Sequence, residues 1–213
     1  FPYRPLFRFI RFFDDQALRG PEGFGGDTWG PPADLLFETG PMAALHIGHD
    51  VGVQLAWLAR ERPDILLTYP SNAVEIAREA ARRGVALPPL HELRLFSEVV
   101  DPAARTFLRA AFGAPVTDTY TASDCGYLAL RCPHADAYHV QAENVLLEVL
   151  DGDGRACAPG QVGRGGISTL HNLAMPLLRY ESGDHAEGAP PCGCGRGLPA
   201  LARILGRTRN MLV

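Results

Sequence analysis

The first half of the chain alternates apolar runs of strand length with helical patterns, and this alternation constrains the fold more than any other feature. Residues 65–68 form an apolar run of buried-strand length, and the helical segment after it ends at Gly84. A second run at 93–96 precedes a helix capped by Asp101, and a third run follows at 115–117. Strands that alternate with helices pair in parallel through right-handed crossovers. The sequence therefore predicts an α/β fold with a parallel sheet and flanking helices.

Local patterns give the expected position of each helix. Residues 35–37 are expected to form a short strand and residues 49–60 a helix. Asn72 with Glu75 predicts a capping box at the start of the next helix. The helix after Asp101 has a core-facing stripe at i, i+3, i+4 and i+7, formed by Ala104, Phe107, Leu108 and Ala111.

After Gly126 the pattern changes to short strands joined by turns. Strands are predicted at 139–141, 145–149 and 166–169, with turns at 151–154 and 159–160. Short strands that follow one another through tight turns pair antiparallel. This half of the chain is expected to form a small antiparallel β subdomain, either a barrel or a sandwich.

Charge and composition exclude several classes of function. The formal net charge is -4 and no basic cluster is present, which excludes a nucleic-acid surface. No uncharged apolar segment is long enough for a membrane span, and Arg4, Arg8 and Arg11 interrupt the aromatic N-terminal segment, which is expected to pack on the domain. Five cysteines without a secretory signal favour a reducing compartment, and we expect a cytoplasmic protein. All 20 basic residues are arginine.

A polar run at 118–126 follows the third predicted strand and combines aromatic, hydroxyl and carboxylate groups. The Tyr120 phenol can cover a purine, hydroxyls such as that of Ser123 can donate to phosphate oxygens, and a carboxylate can hold Mg²⁺. Ligands of open α/β sheets bind at the carboxyl ends of strands. The alternative is a polar loop in which Asp124 only caps the backbone.

The segment 177–184 ends in a glycine turn with Asp184, whose carboxylate could accept both hydroxyls of a ribose. With the run at 118–126 before it and 203–207 after it, the chain resembles the adenylate-forming superfamily, and more narrowly the phenylacetate–coenzyme A ligase group and its synthetase-like relatives. Further matches lie at 67–71, 96–98 and 204–208, so the resemblance extends from Ile65 to the last residue.

The resemblance implies a role for each matched residue. The adenine pocket would be lined by Glu98, Asp118, Thr119 and Tyr120. Ser123 would meet the phosphates, Asp124 would stand near Mg²⁺, Asp184 would bind the ribose, and Arg207 would contact the ribose or phosphate side. Three positions depart from the family pattern: Thr121 replaces a glycine, Asp124 a glutamate, and Arg209 an acid at the hinge.

The resemblance also implies the reaction and the division into domains. A substrate carboxylate attacks the α-phosphorus of ATP to give acyl-AMP, and the acyl group then passes to a thiol such as that of coenzyme A. The expected parts are an α/β nucleotide-binding portion at 1–126, irregular and rich in glycine and proline over 1–40, then a β subdomain at 127–205 and a hinge at 206–213 toward a mobile C-terminal subdomain.

Four residues of the second half form a separate set of metal-ligand type. Cys132 and His139 flank a predicted hairpin, and Cys192 and Cys194 form a tight pair, which together give a Cys₃His set suited to structural Zn²⁺. Their spacings lie outside the common finger ranges, so free cysteines are the alternative. Some members of the resembled group bind zinc here, which favours the zinc site. His134 competes for the imidazole position, and Cys125 and Cys157 are expected to be ordinary thiols.

The chain is thus expected to be a zinc-stapled part of a larger ligase. The phosphate loop of the family lies upstream of the matched region, and the catalytic lysine has no counterpart here. We therefore expect this chain to be inactive alone. A non-catalytic nucleotide-binding module and a zinc-stabilised interaction domain are the alternatives. The acid, the acceptor thiol and the oligomeric state, including a homodimer, stay open.

Overall fold

A computed structural model describes residues 9–13, 20, 22–31 and 33–207, for 9–13 the backbone only. Arg4, Arg8 and the part of the predicted hinge from residue 208 onward lie outside the described residues. The chain divides into two compact units, Phe1–Thr117 and Asp118–Val213. The expected boundaries at 126 and 205 stay a prediction, because compact units need not coincide with functional domains. Within the described residues, no helix has the length and apolar character needed to cross a membrane.

The first unit is an α/β layer whose strands pair in the order β2-β3-β1-β4-β5. β1 is parallel to β3 and β4, β4 is parallel to β5, and β2 is antiparallel to β3. The strands are β1 (Phe9–Phe13), β2 (Phe24–Gly26), β3 (Met42–His46), β4 (Ile65–Thr68) and β5 (Glu92–Phe96). The helices are α1 (Ala33–Leu36), α2 (Val51–Glu61), α3 (Pro70–Arg83) and α4 (Pro102–Phe112). The predicted α/β class with parallel strands is confirmed.

The helix ends of this unit are fixed by the predicted residues. Gly84 has a φ of 64° and its N–H reaches Ala80 and Ala81 carbonyl oxygens, so it ends α3 in the left-handed conformation. The Asp101 carboxylate accepts from the Ala104 N–H at 2.8 Å and begins α4. Leucine and isoleucine side chains from strands and helices fill the core, among them Leu45, Leu58, Leu66, Ile76, Leu93, Leu95 and Leu108.

Several local predictions for this unit were wrong. Residues 35–37 are not a strand, since α1 covers Ala33–Leu36. The helix predicted at 49–60 is present as α2, but it begins only at Val51, because the Asp50 carboxylate caps Gly52 N at 2.7 Å. Helix α3 begins at Pro70, so Asn72 cannot be its cap.

Two side chains explain why the helix faces differ from the prediction. Asn72 lies buried in the first turn of α3 and donates to Gln54 Oε1 at 2.9 Å and to Thr68 Oγ1 at 3.0 Å. In α4, Phe107 is exposed, whereas Arg105 is buried and donates to the Val116 carbonyl at 3.1 Å. In both helices a polar side chain occupies the inner face because a buried partner satisfies it.

The second unit is an antiparallel sheet with the strand order β6-β7-β8-β12-β11-β10-β9. Its strands are β6 (Val116–Ala122), which starts before the unit boundary, β7 (Gly126–Arg131), β8 (Tyr138–Val140), β9 (Val145–Leu150), β10 (Val162–Thr169), β11 (Tyr180–Ala189) and β12 (Ala200–Arg207). The antiparallel character is confirmed. Within this unit, β6 and β9 stand at the two ends of a linear strand order, so its described strands form a single sheet and not the two sheets of a sandwich. In the described part of the unit, no pairing between β6 and β9 closes this sheet into a barrel.

The turns and ends of these strands follow from particular residues. The Asp151 carboxylate accepts from the N–H groups of Asp153 and Arg155, and Gly154 has a φ of 77°, which confirms the turn predicted at 151–154. The strand predicted to end at residue 117 continues to Ala122 as β6. The polar run is therefore largely a strand and not a loop.

Candidate functional site

Strands β6 and β11 bring Tyr120 and Asp184 into direct contact. The Tyr120 hydroxyl donates to Asp184 Oδ2 at 2.9 Å. Tyr120 is 8% exposed, and the Asp184 side chain is 15% exposed. The glycine turn before the carboxylate is real, since Gly183 has a φ of 79° and Ser182 Oγ accepts from the Asp184 N–H at 3.2 Å. Two predicted site residues that are 64 positions apart thus form one pair.

The charges around this pair decide which groups can bind a ligand. Burial, followed by the negative charge of Asp184, raises the pKa of Tyr120, so its phenol stays protonated and acts as a donor. Arg207 Nε lies 3.9 Å from the other carboxylate oxygen, Asp184 Oδ1, and the arginine side chain is 56% exposed. One carboxylate oxygen is therefore fixed by a buried phenol. The other faces an exposed cation that can shift to admit a hydroxyl-bearing ligand.

The remaining residues of the polar run lie in different surroundings. Asp118 is buried and accepts a hydrogen bond from the Tyr138 hydroxyl. Thr119 lies within β6 opposite Leu130 of β7. Ser123 and Asp124 are exposed in the turn between β6 and β7, where their oxygens are accessible to phosphate or to a metal ion.

Glu98 belongs to the first unit and has a partner within that unit. Its two carboxylate oxygens accept from the Ser71 N–H at 2.9 Å and from Ser71 Oγ at 2.8 Å. Ser71 lies in the first turn of α3, so Glu98 places negative charge at the positive end of that helix. The preceding residue, Ser97, has a φ of 66°, a strained conformation for a residue with a side chain.

The predicted metal set is assembled in the second unit. One ligand atom from each of Cys132, His139, Cys192 and Cys194 lies within 4.8 Å of the other three. The Sγ atoms of Cys132 and Cys192 are 3.9 Å apart, and Cys194 Sγ is 3.2 Å from His139 Nε2. Tetrahedral zinc with Zn–S bonds of about 2.3 Å separates two sulfur ligands by about 3.8 Å, so these residues fit that ion.

The pKa of the Cys132 thiol is also compatible with binding of a cation by this set. Burial alone would raise the pKa of Cys132, but hydrogen bonds from the His134 N–H and from His139, Cys192 and Cys194 lower it to about 6. A hydrogen bond from the Cys194 N–H lowers the pKa of Cys192, but burial and the neighbouring thiols together outweigh it, so that this pKa is raised. The Cys132 sulfur is therefore readily available as a thiolate ligand, and a divalent ion would stabilise the deprotonated form of each thiol that it binds.

The imidazole of this set is provided by His139. It is 1% exposed, and its Nε2 faces the cluster, whereas its Nδ1 has no hydrogen-bond partner among the described residues. The competing residue, His134, touches the cluster through its backbone N–H, which donates to Cys132 Sγ at 3.4 Å.

Sequence reasoning missed three residues that contact the predicted ones. Ser182 binds the Asp184 backbone, and Arg131 and Tyr138 both lie beside Asp118. No local pattern indicates the last two, because their contacts with Asp118 depend on the register of three strands.

Known proteins are similar to this chain in sequence and in fold. No protein-family model matches the chain. Phenylacetate-coenzyme A ligases of Thermus thermophilus and Aromatoleum evansii are 33% and 28% identical over 159 residues. Each match covers 71% of this chain and 36% of the relative, so the chain spans about a third of the length of these proteins.

Solved structures show the same fold. An open conformation of 2-hydroxyisobutyryl-CoA ligase, in complex with 2-HIB-AMP and CoA, matches with a TM-score of 0.77 and 21% identity, over 99% of this chain and 47% of that one. An anthranilate CoA ligase in complex with anthranoyl-AMP matches with a TM-score of 0.65 and 15% identity, over 98% of this chain and 41% of that one. Together with the sequence match, the shared fold identifies the chain as a member of the adenylate-forming acyl-CoA ligase superfamily.

Proposed function

We propose that this chain is part of an ATP-dependent, AMP-forming acid–thiol ligase, which activates a carboxylic acid as acyl-AMP and transfers the acyl group to coenzyme A. The observation that carries the proposal is the Tyr120–Asp184 pair, in which a buried phenol fixes a carboxylate beside the exposed Arg207. The relatives named as phenylacetate-coenzyme A ligases support the reaction class. Because the chain spans about a third of them, the activity belongs to the whole protein.

Asp184 is the residue assigned to the ribose. An ionised carboxylate accepts hydrogen bonds only, so it can take both hydroxyls of a ribose and discriminates against sugars that lack them. The Tyr120 ring is assigned to the adenine together with Thr119, Asp118 and Glu98. Of these, Asp118 and Glu98 already accept hydrogen bonds from Tyr138 and Ser71, so their part in binding must be compatible with those partners.

The phosphate groups are assigned to the turn between β6 and β7. Ser123 is exposed there and can donate to a phosphate oxygen, and Asp124 can hold Mg²⁺ directly or through a water molecule. Arg207 would neutralise charge on the ribose or phosphate side. Attack of the acid on the α-phosphorus needs such positioning and neutralisation more than covalent help from the protein.

A structural Zn²⁺ ion is assigned to Cys132, His139, Cys192 and Cys194. A closed set of four protein ligands leaves no open position for substrate, so the ion would stabilise the fold and take no part in acyl transfer. Its contribution is to join the β7–β8 hairpin to the segment before β12.

A non-catalytic nucleotide-binding module is the second candidate. The observation that favours it is Asp124, one methylene shorter than the glutamate of the resembled family at the metal position. Release of pyrophosphate from ATP by the longest natural form of the chain, with Mg²⁺ and a panel of aryl and alkyl acids, separates the candidates. Acid-dependent release supports the ligase, and calorimetric binding of AMP without release supports the module. If neither occurs, both nucleotide proposals are wrong.

A further inference from the structure

One row of side chains crosses the hairpin that carries two of the proposed metal ligands. Arg131 of β7 is paired with Tyr138 of β8. Thr119 is paired with Leu130, which places Asp118 of β6 opposite Arg131. We call these three residues, Asp118, Arg131 and Tyr138, the Asp118 row.

The members of the Asp118 row are in contact with one another. The Tyr138 hydroxyl donates to Asp118 Oδ2. Arg131 Nη1 donates to the same hydroxyl at 3.3 Å, and its guanidinium carbon lies 5.3 Å from the centre of the Tyr138 ring. Arg131 Nε is 4.0 Å from Asp118 Oδ1. Each of the three side chains therefore touches the other two.

The Asp118 row and the metal set use opposite faces of the same hairpin. Arg131 immediately precedes Cys132, and Tyr138 immediately precedes His139. Successive side chains of a strand point to opposite faces, so the ligands turn one way and the row turns the other. On the side of the row, Tyr120 lies two residues after Asp118 in β6, and Val116, Asp118 and Tyr120 are the buried residues of that strand.

Burial makes this contact hard to break. The Asp118 side chain is 9% exposed and that of Arg131 is 13% exposed, so water can replace little of a lost partner. Removing the Tyr138 hydroxyl deprives both Asp118 and Arg131 of a buried contact, although Arg131 keeps its ion pair with the exposed Asp136. Strand β6 is therefore held against the hairpin at the position of Asp118.

We propose that the Asp118 row consists of positioning residues, which transmit the order that a metal ion imposes on the β7–β8 hairpin to β6 and thereby fix the Tyr120–Asp184 pair. The part of Asp118 in the adenine pocket is then to hold Tyr120 in place, which requires no direct contact of its carboxylate with the nucleotide. The effect on nucleotide binding rests on the proposed function, whereas the ordering of β6 by the β7–β8 hairpin does not.

The first test is hydrogen exchange of the zinc-loaded protein in the longest natural form of the chain. Tyr138→Phe keeps the ring against Arg131 and removes only the hydroxyl, so the variant is expected to fold with an unchanged zinc content. Amide exchange at residues 119–121 should become about tenfold faster, as expected for loss of one hydrogen bond to a charged group. Tyr127→Phe, an exposed tyrosine of β7, is the matched control and should leave exchange unchanged.

A cycle of two perturbations separates transmission from general stability. Zinc removal by a chelator should speed exchange at 119–121 in the parent protein and have little further effect there in Tyr138→Phe, because the connection is already broken. If metal removal unfolds the unit, the cycle uses three zinc-loaded variants instead: Asp118→Asn, Tyr138→Phe and the double variant. Amide exchange at 119–121 in the double variant should then be no faster than in the faster of the two single variants. Additive effects in the cycle that is used, or unchanged exchange at 119–121, would overturn the proposal.

AMP affinity provides the second readout. Tyr138→Phe should weaken AMP binding severalfold at full zinc occupancy, and Tyr127→Phe should not. An unchanged AMP affinity together with faster exchange at 119–121 would overturn the link to Tyr120 and Asp184. If the parent protein itself does not bind AMP, the proposed function fails, whereas the exchange cycle still decides whether the row transmits order from the hairpin to β6.

Discussion

Replacing Cys192 and Cys194 together by serine should remove a cross-link that closes a long loop of the second unit. Cys132 and Cys192 are separated by 60 positions along the sequence, and their Sγ atoms lie 3.9 Å apart. A link that closes a loop of that length stabilises the folded state by about 4 kcal/mol, because it restricts the unfolded chain. For a unit of this size the corresponding fall in Tm is about 15 °C or more.

The assay compares metal content and unfolding of the same preparations. Elemental analysis of the parent protein should give one zinc per chain, and the double serine variant should give none. Both are then unfolded by heat and by denaturant under reducing conditions, so that no disulfide between Cys132 and Cys192 replaces the metal. Cys157→Ser is the matched control, since Cys157 is a half-buried thiol outside the four-residue set.

Two results would refute this reasoning. Parent protein that contains no metal and melts at the same temperature with and without a chelator would show that the four residues do not bind zinc. A double serine variant that loses its zinc but keeps its Tm would show that the ion binds without constraining the fold.

Three further outcomes are expected. Asp184→Ala should weaken AMP binding about tenfold or more in calorimetry, because loss of a charged acceptor costs about 1.5 to 3 kcal/mol; unchanged affinity would contradict the ribose assignment, and the exposed Asp153→Ala is its control. The folded state raises the pKa of Tyr120 above its ordinary value of 10.0, so the stability that this phenol contributes is full below pH 10 and falls as the pH rises above it. Denaturant unfolding between pH 10 and about pH 11 should therefore show a steeper loss for the parent than for Tyr120→Phe, and equal slopes would argue against the buried bond. Asp124→Glu should retain Mg²⁺-dependent pyrophosphate release by the longest natural form of the chain, whereas Asp124→Ala should lose most of it; equal rates for the two variants would remove Asp124 from the metal site.

The parts of the fold that the sequence predicted depend on short-range chemistry. Gly84 and Asp101 act on backbone groups within a few residues, so their roles can be read from local patterns. The four residues of the proposed metal set could also be named, although they are far apart in sequence, because three thiols and an imidazole share a ligand chemistry. Their spacing alone left free cysteines open, and the family resemblance decided between the two.

The parts that could not be predicted depend on partners set by the tertiary structure. Asparagine is a residue type that often caps helices, yet Asn72 lies inside the first turn of α3, where its side chain donates to the buried Gln54 and Thr68. Arg105 occupies an inner position only because the Val116 carbonyl accepts from it. Likewise, Asp118 could be assigned to the adenine pocket by its place in a motif, whereas its contacts with Arg131 and Tyr138 follow from strand register.

Strand register also allows the β7–β8 hairpin to carry members of the Asp118 row on one face and proposed metal ligands on the other. A slip of one residue would turn every side chain of a strand to the opposite face, so that Arg131 and Tyr138 would exchange places with the metal ligands beside them. The regular pairing of β7 with β8 prevents this exchange. The bulge in the β6–β7 ladder lies between Tyr120 and Thr121, after the last residue that the row must hold in place. Pairing resumes beyond the bulge at Thr121 with Tyr127 and at Ala122 with Gly126, so the bulge changes the register of the two strands just before the turn that carries Ser123 and Asp124.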